Sequence, residues 1–234
     1  MKLSAYTYKK IARNALSGHW AGAVAVGLCA VVLGAFLFSF LSFFQFGLAI
    51  FLAMSFLEFI PDFSVILLMV VLVLAIFYFF VGGAVRLGYI DYNLALLDRR
   101  PAGFSNLGNH FSSWYDMIIV KILMFLIVSL WSLLFVIPGI MAYYSYAMVP
   151  YILEEKPDYN VYEAFQASRY IMKKHRWQLF CLHLSFIGWF LLGFLTLGIG
   201  FLFATPYKNA AEAAFYNEIS GRADAYYGRK ERNA

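Results

Sequence analysis

An all-α fold is predicted for this chain of 234 residues: a polytopic transmembrane helical bundle carrying short interfacial amphipathic helices. Composition gives the first reason, since 63% of the residues are apolar or aromatic and 13% are charged, against roughly 45–50% and 25% in an average soluble domain. The second is that the apolar residues come in runs, several of them near the ~20 residues that cross a hydrocarbon layer about 30 Å thick. The third is that Lys and Arg collect in the segments between those runs, as they do in the short cytoplasmic loops of membrane proteins. Together these exclude an ordinary cytosolic globular protein.

Residues 1–19 read as a cytoplasmic amphipathic helix. Ala5, Tyr8, Ile11, Ala12, Ala15 and Leu16 share one face, and Lys9, Lys10, Arg13 and Asn14 the other, with Ser4 placed to cap the start. Residues 20–219 read as a transmembrane domain of about six apolar segments. The first, 20–44, carries no charge and is longer than a signal-peptide core. Residues 45–62 include Glu58, Pro61 and Asp62 and read as an interfacial helix and turn. The second segment is 63–84. The third, 117–137, has Lys121 near its start and stops at Pro138-Gly139, a pair that punctuates helices. A short return, 140–153, follows. Asn160-Val161-Tyr162-Glu163 has the spacing of a capping box and opens a helix whose apolar stripe is Val161, Ala164, Phe165, Ser168 and Met172. The fifth segment is 177–197, and the sixth is 199–207, extending as a helix to 219. Residues 220–234 form a basic cytoplasmic tail.

Charge fixes the sidedness. A four-span topology leaves Lys156, Arg169, Lys173, Lys174 and Arg176 outside, whereas six segments with tight returns at Pro138-Gly139 and Gly198-Ile199-Gly200 put all 18 Lys and Arg inside. The six-segment reading, with both termini cytoplasmic, is preferred. Pro138, Gly139, Gly198 and Gly200 are therefore the helix-break candidates, and Lys9, Lys10, Arg13, Arg169, Lys173 and Lys174 the lipid-facing basic candidates.

An ionisable group inside a membrane is a functional suspect, and here the intramembrane polar candidates are Lys121 and His183. Lys121 lies about one turn from the interface and is expected to snorkel. His183 finds no carboxylate within a span, so a neutral, hydrogen-bonded packing role is expected. The net charge of +5 does not point to nucleic acid, because most aromatics lie in the apolar runs. Cys29 and Cys181 also lie in those runs, and no metal-ligand spacing, phosphate loop or nucleophile elbow occurs, so no metal, cofactor or catalytic residue is assigned.

Ser185-Phe186-Ile187-Gly188-Trp189, Thr196-Leu197-Gly198-Ile199-Gly200, Pro206-Tyr207 and Ala214-Phe215-Tyr216 carry a family resemblance. Upstream it extends through Ile137-Pro138-Gly139-Ile140, Tyr144-Ser145-Tyr146 and Ala167-Ser168-Arg169, with Trp177 and Phe180 opening the last apolar run. Over most of its length the chain resembles the bacterial integral-membrane family catalogued as domain of unknown function 975. The resemblance implies a plasma-membrane protein, mostly of Gram-positive bacteria, and supplies no activity.

Three functions fit this sequence. The leading expectation is a non-enzymatic membrane module that meets anionic lipid at the cytoplasmic face, or a membrane-protein partner or second copy of itself. A small transporter or channel subunit for an apolar or lipid-like substrate is the alternative. An intramembrane enzyme ranks last, since nothing completes a site around His183.

Overall fold

A computed structural model of the chain describes residues 4–32, 69, 81–108, 114–134, 136–196 and 199–221, and every regular element among them is a helix. In chain order these are α1 (Ala5–Leu16), α2 (Trp20–Val32), α3 (81–97), α4 (Ser105–Gly108), α5 (Trp114–Leu134), α6 (Val136–Tyr146), α7 (Val149–Glu155), α8 (Val161–Met172), α9 (Arg176–Leu184), α10 (Ile187–Leu195) and α11 (Ile199–Ile219). The expected segment 45–62, nearly all of 63–84, the end of 20–44, Gly198 and most of the basic tail lie outside the described residues.

The long helix α11 organises the packing. From Tyr207 onward it carries Tyr207, Ala210, Ala211, Ala213, Ala214, Phe215 and Tyr216, all buried, and alanines here let neighbouring backbones come close. α1 lies along it. Tyr8, Ala12 and Leu16 are buried as the amphipathic spacing requires, but the surface they meet is protein. The Tyr8 ring stands edge-on to Phe215 at 5.4 Å, and its hydroxyl donates to the Glu218 carboxylate. Burial, reinforced by Glu218, raises the Tyr8 hydroxyl above its usual range. The expectation that this apolar face enters the headgroup layer is thereby corrected: α11 covers it. Ser4 precedes α1 in extended conformation, yet its hydroxyl pairs with that of Thr7 at 3.2 Å, with no side-chain bond to a helix N–H.

Two tight hairpins follow. The described part of α6 begins at Val136, and Pro138 and Gly139 are both helical, inside its first turn. That corrects their reading as the break itself. Proline is tolerated there because a first-turn N–H has no helical acceptor, and Gly139 serves close approach: a Cβ would stand 2.1 Å from Ser132 Oγ and 3.0 Å from Ser132 Cα. Between α10 and α11 the counterparts are Gly193 and Gly200, where a Cβ on Gly200 would stand 2.8 Å from Gly193 Cα. The hydroxyl of Thr196 closes this turn by accepting the Gly200 N–H at 2.9 Å. Pro206 lies inside α11, which runs through it unbroken.

Helix discontinuities occur where the sequence reading expected continuous segments. Segment 140–153 is divided at Ala147-Met148, because Pro150 has no N–H to offer the Tyr146 carbonyl and starts α7 afresh. Segment 177–197 is divided at Ser185-Phe186. There the Ser185 hydroxyl bonds back to the Leu182 carbonyl at 2.7 Å, competing with the backbone ladder, and the next helix takes Phe186 as its starting acceptor, at 3.0 Å from Trp189 N and 3.1 Å from Phe190 N. α8 begins as expected, with Glu163 accepting the Asn160 N–H at 2.9 Å, and buries Ala164, Phe165, Ser168 and Met172.

Of the described helices, α5 alone is long and apolar enough to cross a membrane, over Tyr115–Leu133, with most of that stretch exposed.

Candidate functional site

Both discontinuities border one polar cluster. Tyr144 lies three residues before Ala147 on α6, and Tyr151 follows on α7. His183 is the penultimate residue of α9, and Lys208 and Glu212 share a face of α11 at i,i+4 spacing. Helix packing brings all five together. His183 Nε2 lies 2.6 Å from Glu212 Oε1, and Lys208 Nζ lies 2.8 Å from the same oxygen. The Tyr151 hydroxyl donates to Glu212 Oε2 at 3.5 Å, and the Tyr144 hydroxyl is 3.2 Å from His183 Nδ1. The side chains of His183 and Glu212 are only 18% and 14% exposed, so a carboxylate here requires the donors that surround it. Arg86 on α3 is near enough to act electrostatically on Tyr151, Lys208 and Lys121.

This corrects the expectation that His183 lacks a carboxylate partner. Glu212 lies in the second half of α11, beyond the apolar run 199–207, and only packing returns that half to His183. The sequence carries one signal of it. Glu212 stands alone among Ala210, Ala211, Ala213 and Ala214, four residues after Lys208, and a lone acid flanked by small residues on both sides is an acid that neighbouring helices can enclose. The role of Lys121 is corrected as well. It is 6% exposed, and its Nζ lies 3.5 Å from where a Cβ on Gly83 would stand, so it points into the α3–α5 contact and does not snorkel.

The basic candidates separate into two kinds. Lys9 is engaged within the fold: Nζ donates to the Ser185 carbonyl at 2.6 Å and lies 4.5 Å from the centre of the Phe186 ring. That carbonyl is an acceptor freed by the α9/α10 discontinuity, and a cation at a helix C-terminus is favoured by the helix dipole. Partial burial lowers the pKa of Lys9. Lys9→Met is therefore expected to cost about 0.5–1.5 kcal/mol and to speed proteolytic removal of α1, with Lys9→Arg retaining most of the protection. Lys10 and Arg13 on α1, and Arg169, Lys173 and Lys174 on and after α8, remain exposed. Beside the second group, Tyr162, Tyr170 and Trp177 are exposed too.

Neither the curated proteins nor the solved structures contain a match to this chain. Residues 53–223, most of the chain and including the whole polar cluster, match the family described as "Protein of unknown function (DUF975)", and the chain belongs to that family.

Proposed function

We propose that the chain is a non-enzymatic, multi-pass protein of the bacterial plasma membrane, with both termini cytoplasmic, that engages anionic lipid through its exposed cations. The supporting observation is the distribution of exposed side chains. Leu126, Leu130, Leu133 and Ile137 on the first hairpin and Leu191, Leu192, Leu195 and Phe203 on the second are all exposed, and soluble monomers rarely present large apolar patches. Lipid satisfies such a surface. The exposed face of α8 bears Tyr162, Arg169 and Tyr170, and the exposed stretch continues beyond the helix to Lys173, Lys174 and Trp177. Tyr and Trp suit the headgroup layer, and each cation near an anionic leaflet adds about 1 kcal/mol of attraction.

The test uses the full chain. After an alkaline carbonate wash the protein should stay with the membrane, and the purified protein should retain phosphatidylglycerol over phosphatidylcholine in native mass spectrometry. Substituting Gln for Arg169, Lys173 and Lys174 should cut that retention about fivefold per cation, following about 1 kcal/mol each. Equal retention of both lipids by both proteins removes the lipid reading. The two helix discontinuities beside a buried polar cluster support a second reading, a small transporter or channel subunit, since broken helices line the sites of many transporters.

A further inference from the structure

The polar cluster has a chemistry that lipid binding does not use. We propose that Tyr144, His183 and Glu212 form a proton-binding site, in which His183 takes a proton at Nδ1 while its Nε2–H remains on Glu212. The hydrogen-bond directions follow from the partners. An ionised Glu212 only accepts, so the imidazole nitrogen 2.6 Å away donates. Nδ1 then carries the lone pair of a neutral ring, and the Tyr144 hydroxyl 3.2 Å away donates to it.

A proton arriving from water bonds to that lone pair. The new Nδ1–H donates to the Tyr144 oxygen, and the phenol hydrogen turns away about its C–O bond. Tyrosine serves as well for an acceptor as for a donor, so both protonation states are satisfied by the same heavy-atom positions. Glu212 compensates the added charge, and Lys208, bound to the same oxygen at 2.8 Å, limits that compensation. Other titratable or charged groups surround the site: Tyr143 on α6, Tyr151 on α7, Arg86 and Tyr89 on α3, and Lys9 of α1 on the Ser185 carbonyl. The imidazole nitrogens are in direct contact with their partners, which leaves no place for a ligand atom between them and makes the proton the ligand that fits. A purely structural histidine would need only one of these two bonds. Here both nitrogens are engaged, from α6 and α11, and Tyr144 and His183 each stand beside a chain discontinuity, so proton uptake reverses the polarity of the α6–α9 link where both helices end.

The test is ring-nitrogen NMR on the full chain in lipid nanodiscs, with His19, His110 and His175 replaced by Gln so that His183 is the sole imidazole of the four. Under alkaline conditions the ring should be the Nε2–H tautomer, and an imidazolium should appear reversibly on acidification. Glu212→Gln should reduce the imidazolium population about tenfold at a pH where the unsubstituted ring is partly protonated. Should that variant fail to fold, Tyr144→Phe decides, since loss of the phenol oxygen must move the Nδ1 resonance and the imidazolium population while the ring stays packed. A ring that keeps one neutral form throughout, an Nδ1–H tautomer at high pH, or a titration that neither substitution alters overturns the proposal.

Discussion

Glu212→Leu is expected to reduce stability by about 3–5 kcal/mol, as does removing one partner of other buried ion pairs. The loss comes chiefly from what stays behind. Lys208 and the imidazole of His183 lose their shared acceptor, the oxygen at 2.8 and 2.6 Å, and Tyr151 loses the other at 3.5 Å. Removing the charges as a set should recover most of the loss, because the desolvation cost of an ion pair disappears with the pair. The comparison is therefore Glu212→Leu against Glu212→Leu with Lys208→Met, by denaturant unfolding in detergent micelles. A double variant as unstable as the single one would mean that the carboxylate acts through packing, and that Lys208 has enough solvent to manage without it.

Much of the architecture is legible in local signals. The stripe of α8 and its Glu163 cap depend on residues within one or two turns of each other, and the sequence shows them directly. So does the buried face of α1, although periodicity says only that Tyr8, Ala12 and Leu16 are covered, and nothing about whether lipid or α11 covers them. The hairpins are legible as Gly and Pro, but their exact placement is not. Pro138-Gly139 looks like a break because both residues weaken helices, whereas a first turn tolerates proline and a close crossing over Ser132 demands glycine. Conversely, the true discontinuity at Ser185-Phe186 has no Gly or Pro signal at all. It rests on a serine that bonds back to its own helix and on Lys9, 176 residues away in sequence. The polar cluster was the least legible feature, since its partners come from α6, α7, α9 and α11 and no window of sequence contains them together.

Gly88→Ala is the second large expected effect, and its cause is close backbone contact. α3 crosses the short helix α4 so closely that a Cβ at position 88 would lie 2.4 Å from the Asn106 carbonyl oxygen, 2.6 Å from Leu107 Cα and 2.8 Å from the Leu107 carbonyl oxygen. All three are backbone atoms, so no side chain can rotate to make room. α4 is also fixed from its other side. Asn106 donates to Asp91 on α3 at 2.7 Å and accepts the Gly103 N–H at 3.0 Å, and moving away from position 88 strains both bonds. Overpacking of this kind costs about 1–3 kcal/mol, and the absence of a yielding side chain places Gly88→Ala at the upper end. At Gly103, by contrast, a Cβ meets nothing within 4 Å, so Gly103→Ala is the control for composition alone. Thermal unfolding of the two variants in the same micelles should separate them by several degrees. Equal midpoints would mean that the backbones of α3 and α4 have room for a methyl group at position 88.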